Sequence, residues 1–435
     1  MKNFFNKIFS SSKNLYSFKN NIKKLSSTTP VNKIFEAINS HSSESEIRYV
    51  GGCLRKILNN EKVDDIDLAT NLNPLEVSEI LKKNNINFFT GVPDSVLKEL
   101  SIYLEYKNKK QHIIATNEGS AVSIGIGHYL STKKIPCIYM QNSGLSNAIN
   151  PLISVAHKKV YSIPLLLLIG WRGSPKFKDE PQHKVKGLIT KKILKLLNIK
   201  YVILRSDSDL KKINKQIKNS KKNKSILACL IEQGTLEKNN KNKKRNFYKL
   251  NKEFFLKSLL ETLDKKTKII SSTGYNSREL MYVRKKYQLN KSSDFYMVGG
   301  MGHASSVALG YSLSTSKKTI CIDGDGSFLM HLGSIKTAGN FANKNFKYIL
   351  LNNNTHDSVG GQSTYVKNID LEKLSKSLGF KKFYSIKDNK NLRKSLKKFL
   401  SGNSLNFLEV KVSNSKIKKL PRPKDLIKIK NLFMK

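Results

Sequence analysis

The sequence is poor in acid. Its 435 residues hold 32 Asp and Glu against 79 Lys and Arg, a formal net charge of +47. Cysteine is scarce too. Cys53, Cys137, Cys229 and Cys321 stand far apart and no CxxC pair occurs, so no disulfide framework is suggested and a reducing compartment, the cytoplasm, is expected. Long apolar runs are missing as well. The longest, "IPLLLLIGW", is far too short to span a bilayer, although it has the length of a strand buried on both faces. No membrane partner is expected. The surplus basic residues are nearly all Lys interleaved with Asn, as in "KKINKQIKNSKKNKS", without the aromatics a base-stacking surface needs. The charge therefore reads as solvated surface that favours anionic ligands, and nucleic acid is not the expected partner.

Composition divides the chain into five segments. Residues 1–30 contain no Asp, Glu or Arg and read as a basic tail, with a mitochondrial-type transit peptide as the alternative. Residues 31–87 form a small first block. Residues 88–237 and 253–435 are two larger blocks. The polar stretch 238–252, within "EKNNKNKKRNFYKLNK", reads as their linker.

The two large blocks share a rhythm of short apolar runs that end in Gly, Asn, Ser or Asp and lead into helical periodicity. In the first they are "NFFTGVPDS", "HIIATNEGS", "IPCIYMQNSG", "IPLLLLIGWRG" and "KYVILRSDS". In the second they are "TKIISSTGYNS", "DFYMVGGMG", "KTICIDGDGS", "FKYILLNNNT" and "NFLEVKVS". Strands alternating with helices predict two α/β domains, each a parallel sheet flanked by helices. Ligands of such sheets sit at the carboxyl ends of the strands, so the polar residues closing each run are the candidates for a site.

One run stands out. "CIDGDGS" places Asp325 between Gly324 and Gly326 where a strand ends, and 25 residues separate Gly326 from Asn352 in "LLNNNTHDS". A helix and one strand fill that interval, so Asp325 and the Asn run should close two neighbouring parallel strands. A carboxylate, an amide oxygen and a backbone carbonyl suit a hard cation such as Mg²⁺. The glycines and the following helix N-terminus suit a diphosphate.

This spacing resembles the diphosphate-binding motif of thiamin diphosphate enzymes. The resemblance implies Mg²⁺ ligands at Asp325, Asn353 and the carbonyl of Thr355. It implies cofactor contacts at Gly302, His303, Gly324, Asp325, Gly326, Ser327, Asn352 and Asn353. It also implies a glutamate from the other α/β domain against the aminopyrimidine ring, and "ATNEGS" offers Glu118. Read alone, Glu118 is equally a carboxylate at a helix N-terminus.

Whole segments, including "FFTGVPDSVLKEL", "MQNSGLSNAINPL", "KDEPQHKVKGLIT", "GGMGHASSVALG" and "LLNNNTHDSVGGQ", are similar to the phosphonopyruvate decarboxylase family, with sulfopyruvate decarboxylase as a relative. That implies a pyrimidine-binding domain over residues 88–237 and a diphosphate-binding domain over 253–435. It implies a homo-oligomer and, in phosphonate biosynthesis, the conversion of 3-phosphonopyruvate to phosphonoacetaldehyde and CO₂. A 2-oxo acid bearing a phosphonate needs cations and hydrogen-bond donors. Strand-end candidates are Asp94, Asn142, Ser143, Arg172, Lys178, Gln182, His183, His356, Asp357 and Gln362. Plain structural roles compete: Arg172 with Glu180 as an ion pair, Asp94 as a helix cap.

The first block is different. "IRYVGGCLRKILNNEKVDDIDLATNLNPLEVSEILKKNNI" resembles the start of the nucleotidyltransferase head of tRNA CCA-adding enzymes and poly(A) polymerases, through Gly51, Gly52, Arg55, Asp65 and Asp67. Lys56 stands where that family has an acid, and the likeness stops near Asn87. A truncated relic without activity is expected, with a bifunctional or RNA-binding protein as the alternative.

Overall fold

Twelve of the chain's short runs become strands of two sheets, and their burial explains why they are so apolar. Leu166 and Leu168 enter the core on one face of the first sheet, while Leu167 and Ile169 enter the core on the other. Ile349 and Leu351 are divided from Tyr348 and Leu350 in the same way in the second sheet. A strand with a core on each face cannot alternate with polar residues, which is the signature of a parallel sheet covered by helices.

The computed structural model describes residues 74–435, apart from 109, 178, 207, 237–247, 290–292 and 418, together with the backbone of two short antiparallel strands, β1 (Ile47–Tyr49) and β2 (Leu68–Thr70). The basic tail and Gly51, Gly52, Arg55, Asp65 and Asp67 lie outside the described residues, as does Lys178.

The first sheet consists of β3 (Phe89–Gly91), β4 (His112–Ile114), β5 (Cys137–Gln141), β6 (Leu166–Trp171), β7 (Lys200–Leu204) and β8 (Leu227–Glu232). The second consists of β9 (Lys268–Ser271), β10 (Asp294–Tyr296), β11 (Thr319–Gly324), β12 (Phe346–Asn352), β13 (Lys382–Ile386) and β14 (Asn406–Lys411). Both are wholly parallel, with spatial orders β4-β3-β5-β6-β8-β7 and β10-β9-β11-β12-β14-β13. The order is the same in both. In each unit the chain goes outward from its first strand, then returns to the other side of it. That reversal makes a crevice beside β3 and β5 in one unit and beside β9 and β11 in the other.

Two strands were not among the expected runs. β8 is fully buried, but the chain leaves the unit after it and the usual strand-to-helix signal is missing. β13 is a half-exposed edge strand, "KFYSI", whose apolar pattern is interrupted by Ser385.

The two units meet directly. Gln362 Nε2 donates to Ser101 Oγ at 2.8 Å, Asn117 Nδ2 donates to the Met330 carbonyl at 3.3 Å, and Arg422 pairs with Glu180 at 3.2 Å.

Candidate active site

The expected juxtaposition of Asp325 with the Asn run is present. β11 pairs with β12 in parallel with Gly324 opposite Leu351, so Asp325 and residues 352–355 leave the sheet side by side. The Asp325 carboxylate is buried. One oxygen accepts from the Gly326 N–H at 2.9 Å and the other from Thr364 Oγ1 at 2.9 Å. Among the described residues it has no ion pair within 4.0 Å. Burial pushes its pKa up to about 7, and these hydrogen bonds, the Asn354 N–H and distant Lys252 only partly offset that.

Around it the loop is locked. Asn352 Nδ2 donates to Glu409 at 2.8 Å, and its Oδ1 accepts from the Asn354 N–H at 3.1 Å. Asn353 Oδ1 accepts from the Thr355 N–H at 3.1 Å. Asn354 adopts a left-handed conformation (φ 57°), and its Oδ1 is buried without a hydrogen-bond partner among the described residues. One carboxylate with amide and carbonyl oxygens suits a hard divalent cation. No group of three His, Cys, Asp or Glu that could hold a softer metal gathers among the described residues.

Gly326 shows how tight this corner is. A Cβ there would lie 2.8 Å from the His356 ring. That ring is neutral, because burial brings its pKa down to about 4. Ser327 Oγ accepts from the Gly302 N–H at 2.9 Å, which fastens the 299–303 turn to the start of the helix Asp325–Met330. His303 stacks on His331 with ring centroids 4.5 Å apart.

A cavity of about 520 Å³ opens between the strand ends of the two units. From the first unit come Glu118, Ser143, Arg172, Gln182, His183 and Lys186. From the second come Gly274, Tyr275, Arg278, the 297–301 segment, His303 and Arg422. Glu118 opens the helix Glu118–Thr132, capped by Asn117, and its Oε2 accepts from Asn147 Nδ2 at 2.9 Å. Gly144 lies directly against the carboxylate, and a Cβ there would overlap it. Burial lowers the Lys186 pKa, and the Glu118 charge works the other way.

The other candidates divide. Arg172 forks onto Asp179, not Glu180, while its Nη1 donates to Ser95 Oγ at 2.9 Å. Burial works to raise Asp179, but the guanidinium and the Glu180 N–H prevail and bring its pKa down to about 2. His183 is neutral, with its pKa down to about 4 through burial and then the charge of Arg172. Its Nδ1 is buried without a partner. His356 and Gly326 line a second cavity of about 210 Å³ with Thr116 and Thr364.

Four candidates are drawn into the framework. Asp94 accepts from the N–H groups of Val96 and Leu97, both at 3.0 Å, and from Gln141 Nε2 at 2.6 Å. It closes the turn before the helix Lys98–Leu104, whose N-cap residue is Leu97 and which has no side-chain cap hydrogen bond, so the expected cap role is not the one it fills. Asn142 Nδ2 donates to the Arg172 carbonyl and to Thr190 Oγ1, both at 2.9 Å. Asp357 accepts from the Ser415 N–H at 2.9 Å, and Gln362 bridges the units. Sequence reading missed Gly144, Lys186, Arg278, Arg422 and the 297–301 segment. The similar segments "MQNSGLSNAINPL", "KDEPQHKVKGLIT" and "GGMGHASSVALG" span Gly144, Lys186 and part of the 297–301 segment, whereas none covers Arg278 or Arg422.

Comparison with known proteins agrees with this geometry. The N-terminal TPP binding domain of thiamine pyrophosphate enzymes matches residues 76–196, and their C-terminal TPP binding domain matches residues 272–410. Phosphonopyruvate decarboxylase of Streptomyces viridochromogenes is 31% identical over 353 residues, covering 77% of this chain and 87% of its own. Sulfopyruvate decarboxylase of Methanosarcina acetivorans is 29% identical, covering 78% of this chain and 91% of its own. Sulfopyruvate decarboxylase subunit beta of Methanocaldococcus jannaschii is 41% identical over 125 residues, which are 28% of this chain and 64% of its own.

Asp325 yields a stability prediction. Its ordinary pKa is 3.8 and its folded value about 7. Above pH 7 the folded protein, free of cofactor, therefore holds an ionised carboxylate at a cost of roughly 4 kcal/mol relative to the unfolded chain. The cost shrinks as the pH falls from the folded toward the ordinary value. Asp325→Asn should thus raise the melting temperature of the cofactor-free protein at pH 8, with the gain fading toward pH 4. With Mg²⁺ and thiamin diphosphate added, only the wild type should gain further. Calorimetry that finds the cofactor-free variant less stable at pH 8 would exclude an uncompensated carboxylate.

Proposed function

The chain belongs to the thiamine pyrophosphate (thiamin diphosphate) enzyme family, and on that premise we propose that it decarboxylates 3-phosphonopyruvate to phosphonoacetaldehyde and CO₂ with Mg²⁺ as the metal. It is a thiamin diphosphate-dependent decarboxylase of a small 2-oxo acid. When bound, the cofactor supplies a nucleophilic carbon for the 2-oxo group and an electron sink as CO₂ leaves.

The observation that carries the substrate reading is the cavity wall. Glu118 from one unit and the 297–303 segment from the other face a space also lined by Arg172, Lys186, Arg278 and Arg422. Four cationic groups against Glu118, Glu180 and Asp179, the partner of Arg172, leave the wall net positive, which favours an anionic substrate. In this reading Asp325, Asn353 and the Thr355 carbonyl hold the metal. Gly302, His303, Gly324, Gly326, Ser327 and Asn352 shape the cofactor bed, with residues 88–237 serving the pyrimidine and 253–435 the diphosphate. Glu118 exchanges a proton with the cofactor's ring, and Asn147 orients its carboxylate. Ser143, Arg172, Gln182 and His183 meet the substrate, while Asp94, Asn142, His356, Asp357 and Gln362 fix the positions of those that do.

Two further proposals concern context. Cys137, Cys229 and Cys321 are buried free thiols, which supports a cytoplasmic location. Among the described residues no helix is long and apolar enough to cross a membrane. The cavity takes both halves from one chain. Self-association is supported by Val185, Leu188 and Ile189, exposed along one face of the helix Pro181–Leu196. Light scattering that finds a monomer at full activity would remove it.

Glu118→Gln should retain cofactor and lose on the order of 10²-fold or more in kcat. Gly144→Ala should do the same more mildly, because the methyl displaces the carboxylate without removing it. Near-normal turnover in the Gln variant would sink the Glu118 role. The substrate is tested by kcat/KM on phosphonopyruvate, sulfopyruvate and pyruvate side by side. Phosphonopyruvate should lead and pyruvate should trail far behind, since the donors for its missing group stay unpaired. Preference for sulfopyruvate would change the substrate, and efficient use of pyruvate would refute a polyanion site.

A further inference from the structure

After β14 the chain does not leave the site. Asn414 Nδ2 donates to Thr355 Oγ1 at 2.7 Å, and the Ser415 N–H donates to Asp357 at 2.9 Å. Further on, Arg278 donates from Nε to the Pro421 carbonyl and from Nη2 to the Leu420 carbonyl, both at 3.1 Å. The far end is anchored by the helix Leu426–Met434, where Phe433 is buried and its carbonyl accepts from Lys268 Nζ at 2.8 Å. Residues 413–417 and 419–425 thus belong to a strap pinned at both ends. It runs from beside the metal-site loop to the mouth of the large cavity.

At that mouth stands "LPRPKD". Pro421 and Pro423 fix the backbone on either side of Arg422, and the residue before a proline is itself held to extended conformations. The guanidinium is therefore presented with little backbone freedom left to lose. It crosses to the other unit and meets Glu180, with side-chain exposures of 44% and 25%. Glu180 is the N-cap residue of the helix Pro181–Leu196, yet its side chain caps nothing. The contact is half-exposed, and such pairs are weak and exchangeable.

We propose that Arg422 is the specificity residue for the tetrahedral oxyanion of the substrate, and that Glu180 is the internal anion it leaves when that group enters. This inference rests on the decarboxylase reading of the cavity. A planar guanidinium fork matches phosphonate or sulfonate oxygens in pairs, and a dianion inside the cavity outcompetes a carboxylate on its rim. Arg278 is the positioning residue: its fork is spent on the two strap carbonyls, and it holds Arg422 through them.

The two partners then predict opposite effects, which a latch between the units would not. Arg422→Gln should lower kcat/KM on phosphonopyruvate by about 10²-fold and lower it far less on pyruvate. Arg422→Lys should recover part of the loss. Glu180→Gln should instead lower KM for phosphonopyruvate by about two- to fivefold. Calorimetric titration of the holoprotein with phosphonoacetate, which cannot react, should follow the same order, weakest in Arg422→Gln and tightest in Glu180→Gln. If Glu180→Gln reproduces the loss seen in Arg422→Gln, if pyruvate falls equally, or if the wild type binds no phosphonoacetate, the inference is overturned. If the wild type prefers sulfopyruvate and Arg422→Gln selectively loses it, the inference stands and the phosphonate reading falls.

Discussion

A buried carboxylate with no ion pair within 4.0 Å among the described residues is the constraint around which the second unit is built. Asp325 stays at the end of β11 because its neighbours leave it nowhere else to go. The pairing of β11 with β12 fixes its height, Thr364 and the Gly326 N–H hold its two oxygens, and Asn352 ties the adjoining loop to Glu409 on β14. Burial makes its charge unfavourable, as its raised pKa records. In the proposed reading a divalent cation would offset that cost, because the carboxylate oxygens are already removed from water.

The rest of the site follows from sharing one topology between two sheets. Each unit has its crevice at the same reversal of strand order, but the two are furnished differently. The first supplies a buried glutamate, Glu118, and a rim of cations on and before the helix Pro181–Leu196. The second supplies the buried carboxylate, the amide-rich loop and the turn at 299–303. Neither set suffices alone, and the cavity exists where the two sets of strand ends face each other.

Much of this was legible in the sequence because parallel strands write plainly. Ten of the twelve strands are apolar runs closed by a polar residue, and the interval from Gly326 to Asn352 gave the adjacency of β11 and β12 without any tertiary information. What stayed hidden has a common cause. A polar residue at a strand end serves a turn as well as a ligand, and the sequence does not say which. Asp94 and Asn142 fill the first role with all their hydrogen bonds directed inward. Arg172 was legible as a cation in the cavity, but its partner proved to be Asp179 and not the neighbouring Glu180. Arg278 and Arg422 were illegible because one sits on a helix and the other far along the chain, and only the path of the strap brings them to the first unit.

The cavity's dependence on both units, with both on one chain, has a consequence for how the protein behaves on dilution. Where complementary halves are separate molecules, the fraction assembled depends on their amounts and on how evenly they are made. Here the partner is always present, at an effective concentration set by the covalent connection between β8 and β9 rather than by how much protein the solution contains. Stoichiometry is fixed at one to one by translation, and closure of the cavity becomes a first-order event.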